Sequence, residues 1–177
     1  MISESYYWKE SLLGCANRLE NYSKSKDINS KDLVEIEKDI FISFYSIRKI
    51  MDTVKISDST RELKVNLGWS PNLKKVNMLN SHKMNELYDL DDVRSETKNL
   101  RFLCNQFVHS YIFEIVIEDS VGLSCFYFTT DRDKNKKIFF ITVELLIHIL
   151  TLVGNDYPSE LKIMKDSKTG EFLTEVL

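Results

Sequence analysis

At 177 residues, with 43% hydrophobic and 11% aromatic content, the chain is long enough to bury about two thirds of its unfolded surface in one core, so a single domain over residues 1–177 is expected. A formal net charge of −3 and a pI near 5.7 exclude a bulk basic field of the kind that draws nucleic acid or an anionic membrane, and any such binding needs a local patch. Cys15, Cys104 and Cys125, odd in number and widely spaced, fit reduced thiols better than a disulfide framework; with no basic-then-apolar leader and no apolar run of spanning length, the expected setting is cytoplasmic, with no membrane partner.

Trp8, Leu12, Cys15, Ala16, Leu19 and Tyr22 recur at helical spacing and predict a helix over about residues 5–23, broken by the polar stretch Ser23 to Asp27. The next helix is predicted over about 30–54, with Ser30 as N-cap and Asp32 and Glu35 near the positive end of the dipole. Leu33, Ile36, Ile40, Phe44, Ile47, Met51 and Val54 step by threes and fours, and Phe41, Tyr45 and Ile50 widen that face, the pattern of a bundle's central rod. From Ser57 to Leu90 the periodicity weakens. Glu62 to Leu67 alternates enough for a strand, Gly68 to Asn72 reads as a loop, and Lys64, Lys74 and Lys75 with Trp69 loosely resemble a nucleic-acid surface, against the plainer reading of a solvated loop with one buried ring.

A third long helix is predicted over about 92–112, capped by Asp89 or Asp91, with Val93, Thr97, Leu100, Cys104, Phe107, Val108 and Tyr111 as its apolar stripe. β-Branched and aromatic segments then predict strands over about 113–117, 123–130 and 137–142, separated by charged turns. A last helix is predicted over about 143–153, with Gly154 suited to its C-cap and Asp156 to Ser159 breaking the chain before a short tail. The expected fold class is therefore α+β, mainly α: a bundle of three to four long helices with a small antiparallel three-stranded β-meander before the last helix.

Within the third helix, Arg101, Asn105 and His109 fall at i, i+4 and i+8, a polar line climbing roughly 12 Å along the margin of the apolar stripe. A guanidinium fork, an amide and an imidazole on one helix edge are the parts needed to hold a phosphodiester and move a proton; the same three are also ordinary helix-edge polar groups. Tyr111 and the basic turn Arg132, Lys134, Lys136 and Lys137 form a weaker set of binding candidates, against the plainer reading of a packed ring and a solvated turn. Cys104 reads as a small core residue. No His/Cys cluster has metal-ligand spacing and no glycine-rich phosphate loop is present, so neither a metal nor a cofactor is expected.

Cys104-Asn105-Gln106-Phe107-Val108-His109-Ser110-Tyr111 resembles the signature of the HEPN superfamily, helical ribonucleases and nucleotide-binding proteins common in toxin–antitoxin and phage-defence systems. That signature is an Arg, a polar residue, a few further residues, a His and, in one subgroup, a Tyr two residues on. Asn105, His109 and Tyr111 stand at the polar, His and Tyr positions, and Cys104 stands where the family has its Arg. The resemblance implies a homodimer that faces Arg and His across a cleft and cleaves RNA without metal through its 2′-hydroxyl. A cysteine supplies no fixed positive fork for the scissile phosphate, and Arg101, one turn earlier, is the available substitute. Two readings stay open. One is a non-catalytic or degenerate HEPN-like interaction module that meets a protein partner or its own copy. The other is an active metal-independent endoribonuclease using His109 with Arg101 and Asn105.

Overall fold

Ile36, Ile40, Phe44, Ile47 and Ile50 are completely buried along one stripe of a helix, and that stripe packs against neighbouring helices in a core that a β-sheet shares. The computed structural model describes residues 2–165, 167 and 170–177. The elements run α1 (Tyr6–Tyr22), α2 (Ser30–Ile50), α3 (Asp58–Arg61), β1 (Lys64–Pro71), α4 (Met84–Leu87), β2 (Arg94–Asn99), α5 (Leu100–Val108), β3 (Ser110–Glu118), β4 (Gly122–Thr130), β5 (Lys137–Thr142), α6 (Val143–Asn155), β6 (Leu161–Lys165) and β7 (Phe172–Val176). A five-stranded antiparallel sheet in the order β2-β1-β5-β4-β3 forms the centre, and β6 and β7 make a separate two-stranded ribbon from what reads in the sequence as a tail.

The mainly helical bundle with a three-stranded meander is thus not the fold. The central sheet holds two strands beyond the expected meander, of which β1 was expected in part, over Glu62 to Leu67. β1 lies between β2 and β5, drawn from the stretch with the weakest periodicity, and pairs with β2 from Lys64 opposite Asn99 to Trp69 opposite Arg94. β2 takes the first part of the segment expected as a helix over 92–112. Its side chains alternate, Glu96 and Lys98 half-buried between exposed Ser95, Thr97 and Asn99, which is the period of a strand. Val93 and Thr97 satisfied a helical stripe only by coincidence of spacing, and both are exposed. Asn99 then starts α5, its side-chain oxygen accepting from the Phe102 amide at 2.8 Å, and after a helix of nine residues and the cap His109 the chain turns into β3.

Two smaller corrections follow the same logic. α2 is capped by Asn29, not Ser30: Asn29 accepts from the Lys31 and Asp32 amides while Asp32 accepts in return from the Asn29 amide, a reciprocal box. The helix closes at Ile50, and Val54 beyond it is exposed. Gly154 lies inside α6 rather than capping it. There a Cβ would fall 2.6 Å from Leu13 Cδ2, so the missing side chain is what lets α6 lie against α1.

The sheet has two unlike faces. Towards the helices, Phe126 and Phe128 of β4, Phe139 and Ile141 of β5, and Val65 and Leu67 of β1 join the helical residues in one core. Phe107 of α5 sits 4.2 Å from Phe44 and 4.5 Å from Phe128, ring centre to ring centre. Towards the other side point Ile138 and Ile112, covered by Val76, Leu87 and Tyr88 from the connection between β1 and β2.

Candidate functional site

α5 turns Leu100, Leu103, Cys104 and Phe107 into the core, which leaves Arg101 and Asn105 on a flank facing the last turn of α2. Arg48 and the neighbouring Asp52 meet them there. Arg48 Nη1 donates to both Asp52 oxygens at 2.9 Å, Arg101 Nη2 donates to Asp52 Oδ1 at 3.1 Å, and Arg48 Nε donates to Asn105 Oδ1 at 3.3 Å. Partial desolvation pulls the Asp52 pKa upward, yet the hydrogen bonds from Arg101 and Arg48 outweigh it and hold the carboxyl below its ordinary range. At neutral pH one carboxylate therefore serves two guanidiniums.

His109 does not join this group as a third member on the helix. It is the C-cap of α5, its backbone amide donating to the Asn105 carbonyl at 3.1 Å, and the strand begins at the next residue. Its imidazole is exposed and makes no hydrogen bond or ion pair among the described residues. So the structure brings Arg101 and Asn105 together, on one α2 network, and leaves His109 open at the helix end.

The weaker candidates are largely taken up within the chain. Tyr111 carries the Lys134 ammonium 3.6 Å above its ring, and that ammonium pairs with Asp131 at 2.6 Å. Lys136 lies 3.7 Å from Asp133. Lys137 pairs with Glu96 on β2 at 2.8 Å and sits 4.1 Å over the Trp69 ring. Arg132 is exposed and in no ion pair among the described residues. The cysteines are unsuited to nucleophilic work: burial pushes Cys104 up to about 12 and Cys15 and Cys125 up to about 11, so all three stay thiols at neutral pH.

Other residues that shape the site were not apparent in the sequence. Arg48 and Asp52, at i and i+4 on the predicted second helix, carried a readable signal as an ion pair, but nothing local tied them to residues about fifty positions later. Gln106 is buried and donates to Asp133 Oδ2 at 3.1 Å, which ties α5 to the turn between β4 and β5 while its carbonyl oxygen stays without a partner. Asp52 also borders a groove of about 600 Å³ walled by Trp8, Tyr45 and Val54, with Lys49 and Lys55 at its rim. Among the described residues no His, Cys, Asp and Glu side chains gather in a group that could hold a metal ion, and no helix is long and apolar enough to cross a membrane. Against known proteins, the chain matches no family model, no curated protein and no solved structure.

Proposed function

We propose that this protein works as an interaction module, meeting a protein partner or a second copy of itself, and that its HEPN-like motif is a degenerate one that does not cut RNA. One observation supports this above the others: the Arg101 guanidinium, the substitute the motif offers for its missing Arg, already holds Asp52 and shares it with Arg48. A cation that stabilises a scissile phosphate has to aim its donors at the place where charge develops, and one engaged by an in-chain carboxylate must first release it. Asn105 is committed in the same way to Arg48. The groove of Trp8, Tyr45 and Val54 beside this network offers partner-binding surface of the kind interfaces favour, aromatic and bordered by charge. The resemblance associates such a module with toxin–antitoxin or phage-defence systems.

A second reading, an active metal-independent endoribonuclease with His109 as general acid or base, draws support from the free imidazole at the end of α5. Wild type and His109→Ala, incubated with single-stranded RNA and expressed side by side for growth toxicity, separate the two. The interaction reading expects an inert wild type indistinguishable from the variant. RNA cleavage and toxicity that vanish in His109→Ala overturn it.

A further inference from the structure

The connection between β1 and β2 lies on the sheet face away from the helices, and its two parts are built for opposite purposes. Its base is fixed: Val76 is buried and its amide donates to Asn135 Oδ1 at 2.7 Å, and the buried Tyr88 donates its hydroxyl to the Lys134 carbonyl at 2.7 Å. Its tip is a closed turn. The Asn77 amide donates to Asn80 Oδ1 and the Leu79 amide to Asn77 Oδ1, both at 2.8 Å, while Asn80 Nδ2 donates to the Lys75 carbonyl at 3.0 Å. These bonds hold Met78 and Leu79 outward at 80% and 81% exposure, the highest of any large hydrophobic side chains among the described residues. Every bond in the turn is made by asparagines and backbone, so the turn itself requires no apolar side chain at either position.

The tip itself is basic. Lys74 and Lys75 are exposed and in no ion pair among the described residues, and Lys83, at the far side of the turn, pairs with Glu86 at 3.5 Å; residues 74–83 hold no acid, and the acids of the connection, Glu86, Asp89, Asp91 and Asp92, lie towards its β2 end. Arg132 lies on the turn whose Asn135 anchors Val76. This is a local positive patch on a chain whose formal charge is −3.

We propose that the Met78-Leu79 tip is a wedge that docks this protein on an anionic phospholipid surface, with Lys74 and Lys75 engaging the headgroups. Charge complementarity and shape select that partner. Two adjacent aliphatic side chains on a convex, ordered turn enter the headgroup–acyl boundary, where their exposure in water is relieved and flanking lysines gain from the negative surface. They have no aromatic face on which a nucleic-acid base stacks. The proposal stands apart from the Arg101 network, which lies in the helical layer, so one can fail while the other holds.

Co-sedimentation of the full chain with phosphatidylcholine vesicles, with and without phosphatidylserine, tests it. Binding is expected only to the vesicles containing phosphatidylserine, and added salt is expected to weaken it. Met78→Ser combined with Leu79→Ser is expected to lower the vesicle partition at least about tenfold, as is Lys74→Glu combined with Lys75→Glu. All four side chains are exposed, so thermal melting of both variants is expected to match wild type, which separates a lost contact from a lost fold. Leu79→Trp gives an independent signal, a blue shift of its emission on adding anionic vesicles. Absence of binding to phosphatidylserine vesicles, or a double-serine variant that binds as wild type does, overturns the proposal, and so does capture of a protein partner through Met78 and Leu79 without vesicle binding.

Discussion

The two faces of the central sheet are covered by different means. On the helical side the core is aromatic and aliphatic, with Phe44, Phe107 and Phe128 in contact in series, and its stability comes from area removed from water. On the other side a small cluster of Val76, Leu87, Tyr88, Ile112 and Ile138 is held in place by directed bonds: Asn72 donates its backbone amide to the Lys136 carbonyl at 3.0 Å and its side-chain amide to the Leu87 carbonyl at 2.9 Å. Apolar burial is non-directional and repeats with the period of the element that supplies it. Directed bonds need particular atoms in particular places and leave no period. One sheet therefore carries a face that sequence spacing reveals and a face that it conceals.

The comparison is tested most strongly at Phe107, which is fully buried among three other rings. Phe107→Ala is expected to lose about 3–5 kcal/mol in urea unfolding, and as a global loss, because the cavity opens where helix and sheet meet. A cost under about 1 kcal/mol sinks the claim that the helical face carries the fold. Lys9 is the exception within the helical layer. Buried on α1, it donates to the Lys55 and Asp156 carbonyls and lies 4.3 Å from the Tyr157 ring centre, and desolvation lowers its pKa despite the nearby Asp156. Lys9→Met keeps most of the volume and strands two carbonyls, so a loss of about 2 kcal/mol is expected from thermal or urea melts. On the loop side, Tyr88→Phe removes one buried hydroxyl bond, and about 1 kcal/mol is expected. Its signature is local: faster amide exchange at Val76 and Leu87, with β4 unchanged.

How much of this was legible follows from the same division. The stripe through Ile36, Ile40, Phe44 and Ile47 identified α2 from spacing alone, and the runs around Phe126 and Phe139 identified β4 and β5, because each buries a periodic face. β1 was half visible, since a strand between β2 and β5 is defined by partners about thirty and seventy residues away. β2 was read as helix because a six-residue polar strand has too few apolar positions to show its period, and the Asn99 cap that ends it is one polar residue among several. At the candidate site, the shared flank of Arg101 and Asn105 followed from i, i+4 spacing. Their capture by Arg48 and Asp52 did not, since a contact between α2 and α5 is set by the sheet beneath both.

The smallest expected effect lies on the rim of the helical layer, at Asp52, and it places exposed polar bonds against the buried ones of the loop face. Hydrogen bonds from Arg101 and Arg48 hold the Asp52 carboxyl below its ordinary value of 3.8 in the folded chain, against the upward pull of desolvation. A folded-state pKa depressed in this way contributes stability that is fully present above the unfolded value and is lost as pH falls through 3.8 towards the folded value. Asp52→Asn has no such charge to lose, so wild type is expected to be the more stable near neutral pH and the two melting curves to converge as pH drops below about 4. With the Asp52 side chain 50% exposed, solvent screening limits the neutral-pH difference to about 0.5 kcal/mol, less than the single buried hydroxyl of Tyr88 contributes. If Asp52→Asn proves more costly than Tyr88→Phe, or its deficit persists unchanged into acid, the Arg48–Asp52–Arg101 network is a structural element of the helical layer in its own right and the ranking of rim against buried bonds is wrong.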